Sequence, residues 1–160
     1  MEEIIKVFNE VRDLPYHCPE CLDEEDYRCW GKHRILLKKL LELGYKARLR
    51  VCDFIWNEQK LPEEIKSLAP EEKARHPFVE VYLNGKWVIL DATMDSGVPM
   101  HNKWDGKSDC KIGVKCSKIY SPEESIELEK QEREEYEENF RKYEKFHKAF
   151  NKFFEGFRNN

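Results

Sequence analysis

Hydrophobic positions change period along the chain, and each change marks an element. Ile4, Ile5, Phe8 and Val11 recur at helical spacing and predict a short helix over about residues 2–13, stopped by Leu14-Pro15-Tyr16. A polar, acidic stretch follows, Cys18-Pro19-Glu20-Cys21-Leu22-Asp23-Glu24-Glu25-Asp26-Tyr27. Helical spacing returns with Ile35, Leu36, Leu40 and Leu43, giving a second helix over about 29–43 that Gly44 ends. The period then drops to two. Ala47, Leu49 and Val51 alternate with Lys46, Arg48 and Arg50, as in a half-buried strand. Residues 57–75 are polar and predict a loop with short helical turns. Two alternating runs then flank Asn84-Gly85, the strongest short-range signal for a hairpin. Residues 94–120 predict a long structured loop with a short strand near 111–116.

The last quarter of the chain returns to helical spacing. Ser121-Pro122-Glu123-Glu124 supplies a cap, a first-turn proline and a capping-box glutamate. Tyr136, Phe140, Tyr143, His147, Phe150, Phe154 and Phe157 follow at alternating spacings of four and three. They predict one continuous helix running to about 157, its seam lying along the domain or pairing with a second copy in a homodimer. The fold class is therefore α+β. Residues 1–120 form the core, and 121–160 form a helical extension of the same domain.

Composition narrows the classes. The 160 residues suit one domain, and a net charge of −4 offers no nucleic-acid surface. No stretch is apolar for long enough to span a bilayer, and the acidic N-terminus does not read as a signal peptide, so the expected location is cytoplasmic. In that compartment six cysteines read first as thiols or metal ligands.

One cysteine stands apart. Cys29 begins the second helix, where the helix dipole favours a thiolate and free amides can hold an oxyanion. The hairpin supplies its partners. A two-residue turn pairs Leu83 with Lys86, and the register then runs to Phe78 with Asp91 and His76 with Thr93. His76 and Asp91 become diagonal neighbours, their backbones roughly 7–8 Å apart. The opposite hairpin face, with Val79, Val81, Leu83, Val88 and Leu90, belongs to the core. If the Cys29 helix packs with its start toward this end of the hairpin, a nucleophile, a base and an orienting carboxylate meet.

These residues also resemble a known family. Cys29-x-x-Lys32-His33-x-x-Leu36-Leu37, with Leu40-Leu41-x-x-Gly44-Tyr45-x-Ala47-Arg48, is similar to the transglutaminase-like superfamily. So are His76-Pro77-Phe78-Val79-Glu80-Val81 and Trp87-Val88-x-Leu90-Asp91-Ala92-Thr93, and Asn102–Ser108 looks like a segment of some microbial branches. The resemblance covers about residues 26–108. It implies a papain-like core, with the antiparallel sheet packed on the helix bearing the cysteine, and a Cys29–His76–Asp91 triad. The implied activity is acyl transfer on a peptide or protein amide, through a thioacyl intermediate and without a cofactor. Many members carry Gly two residues before the nucleophile, where this chain has Tyr27.

Other side chains compete. Trp30, His33 and Trp104 are candidates to line a substrate site. Cys18, Cys21, Cys110 and Cys116 form two short-spaced pairs that suit a structural tetrahedral zinc; disulfides and free thiols remain open for the same four. Cys52, inside a strand, reads as core. A peptide-binding module without catalysis and a zinc- or redox-responsive protein are the alternative functions. No membrane partner and no nucleic acid is expected.

Overall fold

The computed structural model describes residues 1–159. Its elements follow in the order α1 (Glu2–Arg12), α2 (Cys29–Glu42), β1 (Ala47–Ile55), α3 (Glu63–Lys66), β2 (Lys73–Leu83), β3 (Lys86–Leu90), β4 (Cys116–Ile119), α4 (Pro122–Glu134), α5 (Tyr136–Lys142) and α6 (Glu144–Arg158). The strands form one antiparallel sheet in the order β3-β2-β1-β4. The architecture is α+β.

The hairpin forms as its turn residues demand. Asn84 and Gly85 both take positive φ (50° and 82°), the conformation a two-residue turn needs to match strand twist. Leu83 faces Lys86, and the register runs on through Tyr82–Trp87 and Glu80–Ile89. It stops at Val79–Leu90, so the expected pairs Phe78–Asp91 and His76–Thr93 lie beyond the ladder. β3 ends one residue before Asp91. β2 itself runs on against β1, where Cys52 sits opposite His76.

The core face is the one the alternation predicts. Val79, Val81, Val88 and Leu90 are buried together with Leu36 and Leu40 of α2 and Ile4, Phe8 and Val11 of α1. Burying a leucine this way stabilises by roughly 1.5–3 kcal/mol. The helix bearing Cys29 thus lies on the hairpin. A second apolar cluster gathers Tyr16, Cys18, Ile65 and Val98 under Phe146, Phe150 and Phe154 of α6.

Two expectations about elements need correcting. The short strand lies at Cys116–Ile119 rather than 111–116, and its pairing with β1 shifts register between Asp53 and Phe54. The C-terminal helix is three helices, bent at Glu135 and Tyr143, where the backbone sits near φ −93°, ψ 6° and φ −96°, ψ 9°. Neither bend contains Pro or Gly. The amides of Glu135 and Tyr143 donate to the Gln131 and Asn139 carbonyls, and their own carbonyls accept from the Asn139 and His147 amides, so each residue ends one helix and opens the next. The Glu-rich stretch between Glu127 and Glu138 carries no wide apolar stripe to hold a single axis. The bends let α4 dock on β1, through Ser125 Oγ accepting from the Val51 amide at 3.0 Å, while α6 covers the second cluster.

Candidate active site

Asp91 is a buried carboxylate that accepts four hydrogen bonds. Oδ2 accepts from His76 Nε2 at 2.8 Å and from the Gly113 amide at 2.7 Å. Oδ1 accepts from the Thr93 amide at 3.0 Å and from the Thr93 hydroxyl. Burial disfavours its charge, but the charge of His76, these hydrogen bonds and nearby His33 hold the carboxyl well below the usual carboxylate range.

His76 is 3% exposed. Burial alone would drive its proton off. The Asp91 charge and hydrogen bond, together with contact to Cys29, override this and raise the ring to about 10. Because Nε2 donates to Asp91, Nδ1 is the nitrogen left for the thiol. Cys29 is half-buried, begins α2 and lines the same cavity as His76. The first three amides of a helix have no intrahelical acceptor, and no side chain caps this one. The amides of Cys29, Trp30 and Gly31 are therefore donors at the foot of the thiol. The sequence-derived residues Cys29, His76 and Asp91 stand together.

His33 explains how they are kept together. Its Nε2 accepts from the Ala92 amide at 3.0 Å, so that nitrogen carries no proton. Nδ1 then donates to the Cys29 carbonyl at 2.8 Å. One neutral ring thus ties the Cys29 backbone to the residue after Asp91. Burial, the largest influence, lowers His33 to about 4, which suits this neutral tautomer. Lys32 adds a second tie. Its buried ammonium donates to the carbonyls of Thr93 and Arg12, each at 2.7 Å, and burial lowers it to about 7. Asn102 Nδ2 donates to the Asp91 and Lys111 carbonyls, both at 2.9 Å.

The expected substrate-lining residues lie elsewhere. Trp30 packs on Leu49 and Val51. His33 is fully buried in the ties just described. Trp104 packs on Phe8 at 5.6 Å between ring centroids and donates its indole N–H to the Ser108 carbonyl. All three are large residues beside the motif in sequence, but each faces the core. The cavity is lined instead by aromatic residues from segments far apart in sequence: Tyr16, Phe54, Trp56, Tyr143, Phe146 and Phe150. They come from a loop, the end of β1 and the bent C-terminal helices.

The four cysteines weighed for zinc do not converge. Cys18 is buried under α6, Cys110 lies in the main core, and Cys21 is exposed. Burial pushes both Cys18 and Cys110 up to about 12. Cys116 instead meets Cys52, sulfur to sulfur at 2.7 Å, across the β1–β4 pairing. Among the described residues, no three His, Cys, Asp or Glu side chains are placed to hold a metal. Cys52 is buried, as its strand position predicts.

No helix among the described residues is long and apolar enough to cross a membrane. Compared with family models, with curated proteins and with solved structures, the chain matches none.

Proposed function

We propose that the protein is a cysteine-dependent acyl-transfer enzyme with a papain-like core of the transglutaminase-like kind. The observation that carries this reading is the buried His76–Asp91 hydrogen bond of 2.8 Å beside a cysteine at a helix start. His76 takes the Cys29 thiol proton, forming an imidazolium–thiolate pair. Cys29 Sγ attacks the carbonyl carbon of an amide, and the carbonyl electrons move to oxygen, held by the amides at the start of α2. The tetrahedral intermediate collapses and the C–N bond breaks. His76 gives its proton to the leaving nitrogen, and a thioacyl enzyme remains. Water or an amine then attacks, passing its proton to the neutral imidazole, and release of the acyl product restores the pair. Asp91 stays ionised throughout, orienting the ring and balancing its charge.

Alkylation tests this without a known substrate. Iodoacetamide at pH 6 is expected to label Cys29 ahead of the other five cysteines in the chain. His76→Ala should slow that labelling at least about tenfold, because no base then takes the thiol proton. Slow, even labelling of all the thiols, unchanged in His76→Ala, would refute the reading.

A further inference from the structure

The cavity beside Cys29 has a composition that selects a ligand. Its volume is about 610 Å³, inside the range of roughly 300–1,000 Å³ that holds a drug-sized molecule. Its inner wall is aromatic. Trp56 packs at 4.7 Å between ring centroids against both Phe54 and Phe146, and Phe146 stacks on Phe150 at 5.2 Å. This wall departs from apolar character at Trp56 Nε1, which is buried and has no hydrogen-bond partner among the described residues. A buried donor in that state favours any occupant that offers it an acceptor.

The mouth has the opposite character. Lys60, Lys111 and Lys115 line it, are exposed, and form no ion pair among the described residues. The acidic side chains that share the lining are fewer. Glu132 is taken by Arg28 at 2.9 Å and by Arg34, which leaves Glu58. On a chain of net charge −4, this is a local excess of free cations at the entrance to an aromatic cavity.

Resting on the acyl-transfer reading, we propose that Cys29 acts on a donor with a bulky aromatic group next to the reacting carbonyl and a negative charge further out. The ring packs against the wall that Trp56 and Phe146 form together, and the charge lies at the three lysines. Rings prefer offset or edge-on contact with other rings, which this wall offers from several directions. A cationic mouth also raises the rate at which an anionic donor arrives, an effect that salt weakens.

Four chloromethyl ketones read this out: N-acetyl-alanyl, N-acetyl-phenylalanyl, and their N-succinyl counterparts, which carry a carboxylate. In each, the Cys29 thiolate forms an Sγ–C bond and chloride leaves. Second-order rates of Cys29 labelling are measured by intact mass, with iodoacetamide as the small neutral control. The phenylalanyl probes should react at least tenfold faster than the alanyl ones, and Trp56→Leu should cut that ratio below threefold. The succinyl probes should gain a further severalfold advantage at low salt, lost in 0.5 M salt and in the Lys111→Glu/Lys115→Glu variant. If iodoacetamide labels Cys29 selectively while the alanyl and phenylalanyl probes react alike, the cavity assignment is overturned and the acyl-transfer reading stands. A phenylalanyl preference with no succinyl advantage overturns the anionic half. Failure of every probe to favour Cys29 overturns both.

Discussion

Asp91 and His33 show two ways a single side chain serves the candidate site. Asp91 supplies charge. Replacing it with Asn removes the counter-ion that holds His76 near 10, so burial wins and the imidazolium is lost. Asp91→Asn should therefore slow Cys29 alkylation at pH 6 about tenfold or more; an unchanged rate would show that the carboxylate does not sustain the pair. His33 supplies position, and only while neutral. Its folded value of about 4 lies below the unfolded value of ~6.5. The unfolded chain therefore binds the extra proton first as the solution is acidified. Stability due to His33 is complete above about pH 6.5 and is lost as pH falls toward 4. His33→Gln should cost about 1–3 kcal/mol at pH 7 through the broken ties to Cys29 and Ala92. It should also flatten the acid limb of a urea-denaturation series between pH 6.5 and 4, and a limb as steep as wild type would contradict this assignment.

At the scale of elements, the start of α2 is fixed by a close approach rather than by a cap. A Cβ on Gly31 would sit 1.7 Å from the Asp26 carbonyl oxygen, against backbone that cannot step aside cheaply. Gly31→Ala should destabilise the fold by about 1–3 kcal/mol and slow Cys29 alkylation, because the helix start must move. A thermal melt and a labelling rate close to wild type would show that the loop yields. The elements also mark what was legible beforehand. The hairpin, α1 and α2 follow from periodicity and an Asn-Gly turn, and the His76–Asp91 neighbourhood follows from register, although the ladder stops just short of it. The bends at Glu135 and Tyr143 were not legible, since no proline or glycine announces them. The cavity wall was hidden for a related reason. Tyr16, Trp56 and Phe146 are far apart in sequence, and only the path of the bent helices brings them together.

Across the whole molecule, the described residues bury three apolar clusters, two large ones and a small one of Trp30, Leu49 and Val51, and the candidate site borders the second. The first joins α1 and α2 to the sheet and is rich in ladder hydrogen bonds. The second seats α6 largely on loops, with α3 the regular element beneath it. It is fastened by a few polar ties. Asn151 accepts from the Cys18 amide at 2.7 Å and donates to the Cys18 carbonyl at 2.9 Å, while Arg158 holds Asp95 and the Tyr16 carbonyl. Native-state hydrogen exchange should find α6 opening at lower free energy than α2 and β2, with Asn151→Ala lowering the α6 value alone by about 1–3 kcal/mol. Equal protection across both clusters, falling together in the variant, would indicate a single cooperative unit.

This division separates two kinds of change. Cys29, His76 and Asp91 are set by α2 and the hairpin, whereas Tyr143, Phe146 and Phe150 belong to the bent helices beyond residue 135. Under the proposed acyl-transfer reading, drift or deliberate exchange in the later segment would alter which molecule is accepted without disturbing the Cys29–His76–Asp91 group. For a protein engineer, residues 136–158 are therefore an interchangeable lock fitted to a fixed bolt.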